Sequence, residues 1–210
     1  MKSGLLLLIA GGGHGRVVLD SALRAGVSVD GVIDGALSPG ELIFGIPVLG
    51  NDSYLESLPA SGNSVLNGFG AVKNVERRRT QYSAWLQMGF TVQGVLHPDT
   101  IVGNECEIDP SAQILAGAVI QNRVRIAENV VINTAARVDH DCRVGAHCYV
   151  SPGAILCGGV TLEESVFVGA GAILVPGTRV GAGSVIGAGS VVIQEVAAGA
   201  TIVGNPARVI

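Results

Sequence analysis

From Val102 to Val192 every sixth residue is Ile, Leu or Val, through Ile108, Ile114, Ile120, Ile126, Ile132, Val138, Val144, Val150, Leu156, Leu162, Val168, Leu174, Val180 and Ile186. Four residues after most of these stands a small or β-branched one: Ala112, Ala118, Val124, Val130, Ala136, Cys142, Cys148, Ala154 and Val160. A period of six suits neither an α-helix nor one long strand. It suits a parallel β-helix in which three hexapeptides make one coil and the aliphatic residue fills a narrow interior. Residues 18 apart then stack at about 4.8 Å, the spacing between strands. The fourth hexapeptide residue is often Gly (Gly117, Gly153, Gly159, Gly171, Gly177, Gly183, Gly189), as a corner with positive φ requires.

Upstream of about residue 98 the repeat stops and the chain reads as α/β. Leu5–Ile9 forms a buried strand, and Gly11–Gly15 a tight loop. A helix is expected over 16–25 and a strand over 29–33 ending in Asp34. A third strand covers 64–66, a helix 75–88 carries a basic face at Arg77–Arg79, and a last strand covers 91–96. This is a shortened Rossmann-like unit of three or four parallel strands. The expected division is 1–97 for this domain and 98–210 for the β-helix.

Composition narrows the function. Charged residues are 14% and aromatic ones 4% of a 210-residue chain, so the chain folds around an interior too narrow for rings. Net charge is −4 and the longest basic run is Arg77–Arg79, which argues against nucleic acid as a partner. Leu5–Ile9 is too short for a membrane span and lacks a cleavage-site pattern, so a cytoplasmic protein without a membrane span is expected. Cys106, Cys142 and Cys148 occupy the small interior position and read as buried thiols.

Chemistry is sought where a corner departs from Gly, Ala or Pro. In Val138-Asp139-His140-Asp141-Cys142 the corner is His140-Asp141, stacked against Asn122, Gly158 and Pro176 and against Arg123, Gly159 and Gly177. An imidazole beside a carboxylate, over small residues, meets the needs of a general base. Asp141 alone would also suit a left-handed corner, as would His147 at its own corner. His97 is expected to pack at the domain junction. His14 is either a donor to substrate or a residue that starts the helix. The Gly loop offers backbone N–H groups at a helix N-terminus, but Arg16 stands where the third glycine of a dinucleotide fingerprint belongs. Asp34 could accept a hydrogen bond from a sugar or ribose hydroxyl.

At these residues the chain resembles the bacterial left-handed β-helix sugar acetyltransferases, namely the sialic acid O-acetyltransferases and the bacillosamine-pathway UDP-4-amino-sugar N-acetyltransferases. The resemblance runs from Gly11–Gly15 and Asp34 through His97-Pro98, Ile132-Asn133-Thr134 and Val138–Cys142 to Gly204-Asn205-Pro206-Ala207-Arg208. It implies a homotrimer with active sites between neighbouring prisms, acetyl-CoA as co-substrate, no metal, and a sugar or nucleotide-sugar acceptor. It implies His140 as general base and Asp141 as the acid that raises its basicity, with Asp where the amino-sugar enzymes tend to have Glu. It also implies acetyl-CoA contacts at Tyr149, Ala170 and Ala188, with Tyr149 replacing a frequent histidine. Gly12, Gly13, His14, Asp34, Asn67 and Asn133 would serve the acceptor. Asn67-Gly68-Phe69-Gly70 with Arg77–Arg79 is closer to the sialic acid branch. Two other readings use the same architecture: a γ-type carbonic anhydrase, which needs three histidines on one zinc, and a non-catalytic nucleotide-sugar-binding trimer.

Overall fold

The computed structural model describes residues 4–72 and 74–210. The N-terminal part runs β1 (Leu6–Ile9), α1 (Gly13–Arg24), β2 (Gly31–Ile33), β3 (Leu42–Ile43), β4 (Ile46–Gly50), α2 (Asp52–Ser57), β5 (Ser64–Asn67), α3 (Glu76–Met88) and β6 (Thr91–Gln93). Its sheet has the order β3-β4-β2-β1-β5-β6. All neighbours pair in parallel except β3 and β4. The chain moves outward from β1 through β2 and β4, then returns to its other side with β5. This reversal leaves a crevice beyond the carboxyl ends of β1 and β5, the usual ligand position in such sheets.

Three expectations are corrected here. The parallel set is larger than three or four strands, because β4 joins it with the hairpin partner β3. Phe44 and Gly45 at that turn both take positive φ, as a two-residue hairpin turn demands. The helix expected from residue 16 starts at Gly13 instead. Gly15 then lies so close to the end of β1 that a Cβ there would sit 1.9 Å from the Ala10 carbonyl oxygen. Finally, the strand expected over 91–96 is two strands. Thr91–Gln93 stays in the first sheet, and Val95–Leu96 pairs with Gln113–Ile114 in the β-helix. The change of sheet falls at Gly94, where a Cβ would meet the Ala112 carbonyl oxygen at 1.8 Å.

The β-helix follows the register read from the repeat. On its first face Gln113 pairs with Val131, Val131 with Tyr149 and Tyr149 with Phe167. The second face stacks 101–102, 119–120, 137–138, 155–156, 173–174 and 191–192, and the third stacks 107–108 to 179–180. Ile114, Ile120, Ile126 and their successors form one continuous core with Ala118, Val124, Cys142 and Cys148. Among the described residues the fourth position is left-handed at every hexapeptide from Glu105 to Gly189 except at Ser111.

The three faces differ outside. The first is covered by the N-terminal domain, with Leu115, Val131 and Tyr149 sharing a cluster with Val18, Leu19, Ala22 and Val75. The third carries a charged ladder, Glu107, Arg125, Arg143 and Arg179. The second presents Val119, Ile155, Ile173 and Val191, all partly exposed, with the exposed Arg137 between Val119 and Ile155 and with Ile101 and Ile193 exposed.

Candidate active site

His140 and Asp141 form the corner between the second and third faces. Asp141 has φ 61°, so the left-handed corner turns its carboxylate back toward its neighbour. Its Oδ2 lies 2.8 Å from His140 Nδ1. With Asp141 ionised, Nδ1–H is the donor, which leaves Nε2 free as an acceptor. The Asp141 carboxyl is held below the usual carboxylate range by its hydrogen bonds, first to His140 and then to Arg123. The His140 ring leans over Gly158, where a Cβ would sit 2.6 Å from both Cε1 and Nε2. Both side chains are open to solvent.

The column expected to hold acetyl-CoA stands on a different edge. Ala170 and Ala188 are exposed at the corner between the first and second faces. The third expected contact, Tyr149, is not on that groove. It is 5% exposed, its ring lies between His14 and Phe167, and its hydroxyl accepts from Asn133 Nδ2 at 2.9 Å. The reason is its position: an outward residue on the first face points under the N-terminal domain. The hydroxyl in turn donates to His14 Nδ1 at 3.4 Å.

A polar relay continues across this seam. His14 Nε2–H donates to Gln113 Oε1 at 3.1 Å, and Gln113 Nε2 donates to the Asn67 carbonyl at 2.8 Å. Asn67 Nδ2 donates to Asn129 Oδ1 at 3.2 Å, and Asn129 Nδ2 to His147 Nδ1 at 3.1 Å. Burial, with the Arg78 guanidinium nearby, pushes the His14 imidazole down to about 4, so it is neutral and uses both ring nitrogens. His14 thus stands in the first turn of α1, as the helix-starting reading expected, and its ring also joins the two domains. Asn67, expected at the acceptor, is 1% exposed with its side chain committed to this relay and to the Phe69 N–H. Arg78, expected on the basic face of its helix, is also 1% exposed. Its Nη1 donates to the carbonyls of Asn67 and Phe69, while Nε and Nη2 have no partner. His147 is left-handed and packs edge-on to Tyr82, and His97 is buried with Nδ1 accepting from the Asp99 N–H.

The crevice beyond β1, β2 and β5 is a cleft of about 260 Å³ lined by Asp34, Asp52, Phe69 and Arg77. Asp34 Oδ2 accepts from the Gly11 N–H at 2.7 Å and Oδ1 from the Ala36 N–H at 2.8 Å. The Arg77 guanidinium lies over the Phe69 ring, 4.4 Å from its centroid. Gly12 and Gly13 border open space, with nothing within 4 Å of a would-be Cβ. Asp52 was not among the expected residues, and Arg77 was expected only in the basic face and the sialic acid pattern; both line the cleft. Asp52 opens α2 behind a side-chain cap by Asn51, a signal present in Asn51-Asp52-Ser53. The thiols are set apart from this chemistry: burial pushes Cys142 up to about 11 and Cys148 up to about 12. Among the described residues no group of three His, Cys, Asp or Glu side chains could share a metal ion.

Fold and corner together define a hexapeptide-repeat transferase with an α/β front domain. Residues 99–134 and 159–194 match the bacterial transferase hexapeptide family (six repeats), and 5–84 match the PglD N-terminal domain family. The acetyltransferase domain of PglB from Neisseria gonorrhoeae FA1090 is 34% identical over 98% of each chain, with a TM-score of 0.89. PerB from Caulobacter crescentus, solved with CoA and GDP-perosamine, is 32% identical over 99% of this chain and 97% of its own, with a TM-score of 0.88. The bifunctional protein GlmU of Heliobacterium modesticaldum (strain ATCC 51547 / Ice1) is 32% identical over 78 residues, which are 35% of this chain and 16% of GlmU. The chain belongs to the left-handed β-helix sugar acetyltransferases.

Proposed function

We propose that this protein transfers the acetyl group of acetyl-CoA to the amine of a nucleotide-linked amino sugar, with His140 as general base. The observation that carries this reading is the His140–Asp141 pair, 2.8 Å apart on an open corner with Nε2 free. The amine nitrogen attacks the thioester carbonyl carbon, the C–N bond forms and the C–S bond breaks. Nε2 accepts the proton the amine loses, and the imidazolium returns it to the departing thiolate. A base so placed contributes about 10²–10⁴-fold. Asp141 holds the tautomer and stabilises the imidazolium. The high-lying thiols of Cys142 and Cys148 suit direct transfer without an acyl-enzyme.

The base and the Ala170–Ala188 column stand on opposite edges of the second face, so one chain does not bring them together. If second faces pack around a threefold axis, the base edge of one copy meets the groove edge of the next. The partly exposed Val119, Ile155, Ile173 and Val191 favour that contact, with Arg137 the one charged residue in their ladder. The working unit is therefore a homotrimer. Acetyl-CoA runs along the Ala170–Ala188 edge, and Asn133 stands near the reacting group.

The front cleft takes the nucleotide part of the acceptor. Phe69 and Arg77 offer a flat cationic floor, Asp34 and Asp52 offer acceptors, and Gly12 and Gly13 let a phosphate approach the start of α1. Of the residues in the sialic acid pattern, Asn67 and Arg78 are buried away from this cleft, whereas Phe69 and Arg77 line it as a flat cationic floor that suits a nucleotide base. A nucleotide-linked acceptor is the better fit. Among the described residues no helix is long and apolar enough to cross a membrane.

A screen of free-thiol release tests the reading. Acetyl-CoA is offered with GDP-, UDP- and dTDP-linked amino sugars, with sialic acid, and with no acceptor. The expected result is turnover with a nucleotide-linked amino sugar, whose product carries one more acetyl group, on nitrogen. Turnover with sialic acid alone, or CO2 hydration without thiol release, would overturn it.

A further inference from the structure

The corner column that holds Asp141 is unusual below it. At the left-handed position the chain stacks Glu105, Arg123, Asp141, Gly159 and Gly177, with φ values of 60°, 57°, 61°, 71° and 73°. Glycine meets that requirement without strain, yet three charged residues of alternating sign, Glu105, Arg123 and Asp141, occupy successive coils. Arg123 Nε lies 2.9 Å from Asp141 Oδ1, and Nη2 lies 3.0 Å from Oδ2. This is a two-pronged clamp, and Oδ2 is the same oxygen that faces His140 Nδ1.

We propose that Arg123 is a positioning residue for the acetyl transfer, holding the Asp141 carboxylate in the plane that keeps one oxygen on His140 Nδ1. The inference rests on the reading of His140 as the base. An aspartate carboxylate turns freely about its last bond, and the two are exposed enough for water to compete. The fork of Arg123 removes that rotation, which fixes the tautomer and aims Nε2 across the corner. A second consequence is electrostatic. Arg123 spends part of the carboxylate's charge, so the imidazolium formed during transfer is stabilised less and returns its proton more readily to the departing thiolate. The other charged groups on this side of His140 are Asp139, whose Oδ1 accepts from the His140 N–H, and Glu105, Glu107, Arg125 and Arg143 in the adjoining cleft.

The test compares Arg123→Gln and Arg123→Lys with the parent protein, using the assembled protein and the acceptor found by the screen. Arg123→Gln is expected to lower kcat about tenfold with KM for both substrates within about twofold, as misplacement of a base does. The acidic limb of its pH–kcat/KM profile is expected to move to higher pH, because the imidazolium gains the whole carboxylate charge. Arg123→Lys keeps the charge and loses the fork, so the limb stays in place while kcat remains lowered. Parental kcat and profile in Arg123→Gln, with His140→Ala inactive, would overturn the inference and leave an ordinary surface ion pair. Loss of the assembled state in both variants would also overturn it, in favour of a structural role. Full activity in His140→Ala would remove the base itself, a separate failure that Arg123→Gln does not produce.

Discussion

A single methyl group at Gly158 separates the chemistry of His140 from its neighbourhood. Gly158 has no positive φ, so the backbone accepts alanine there. The new Cβ would lie 2.6 Å from Cε1 and Nε2 of His140, whereas carbon–carbon contacts settle at about 3.5–4.0 Å. One of the two must give by about 1 Å. The imidazole gives, since it is the outer end of a side chain that is 55% exposed, while Gly158 is tied into the stack by the bonds its neighbours make to the His140 and Gly158 carbonyls. A shift of about 1 Å at a reacting group costs about 10²-fold, or about 2.7 kcal/mol in the barrier. Thermal stability should hold, because the displaced ring moves into solvent. Steady-state kinetics and a melting curve on Gly158→Ala decide the matter. The expected result is kcat down about a hundredfold with an unchanged melting temperature. Unchanged kcat would refute the placement of Nε2 over Gly158 as the working geometry.

Other consequences follow from the same arrangement. Ala188→Trp fills the exposed groove edge and should raise KM for acetyl-CoA strongly, with acceptor affinity little changed. Co-expressed with His140→Ala it should recover activity in up to about a quarter of the sites, because mixed copies pair an intact base edge with an intact groove edge. No recovery would place both edges in one chain. Gly13→Val, which adds a side chain to open space at the start of α1, should weaken the acceptor while Kd for acetyl-CoA stays within about twofold, a difference under ~0.5 kcal/mol. Calorimetry with each ligand reads both. The buried neutral His14, with its imidazole at about 4, gives a pH dependence of stability. The unfolded chain binds the extra proton between about pH 6.5 and 4, so stability falls as pH drops through that window, by at most about 1.4 kcal/mol per pH unit. Denaturant unfolding of His14→Gln should lose that increment, and an identical slope in both proteins would contradict the seam geometry.

The β-helix was legible because its rule is local. A period of six fixes which residues face inward and which fall at the corners, and many of the left-handed corners declare themselves through Gly, Asn or Asp. The His140-Asp141 corner stood out against that regularity. The proposed split of the site between two edges came from the resemblance, and it agrees with the repeat, in which His140 and the Ala170–Ala188 column fall on different corners. The front domain was harder. Leu42–Ile43 is too short to show a period, and Phe44 is an uncommon residue for a left-handed turn. Arg78 was taken with its charged neighbours, although it stands one turn before Tyr82 and two before Trp85, on the face of α3 that is buried. Its burial depends on the Asn67 and Phe69 carbonyls that terminate another strand. The relay through His14, Gln113, Asn67 and Asn129 joins residues far apart in the chain, and no local pattern announces such a network. Tyr149 shows the same limit: the repeat places it outward, and only the docked domain shows that outward means covered.

The most direct measurement is kcat for His140→Ala with the acceptor identified by thiol release, taken beside its melting temperature and assembled state. His140 carries little packing at its corner, so stability and assembly should match the parent. The account predicts a fall in kcat of about 10²–10⁴-fold with saturating substrates. A variant that is folded, assembled and retains more than about a tenth of the parental kcat would contradict a general base at this position.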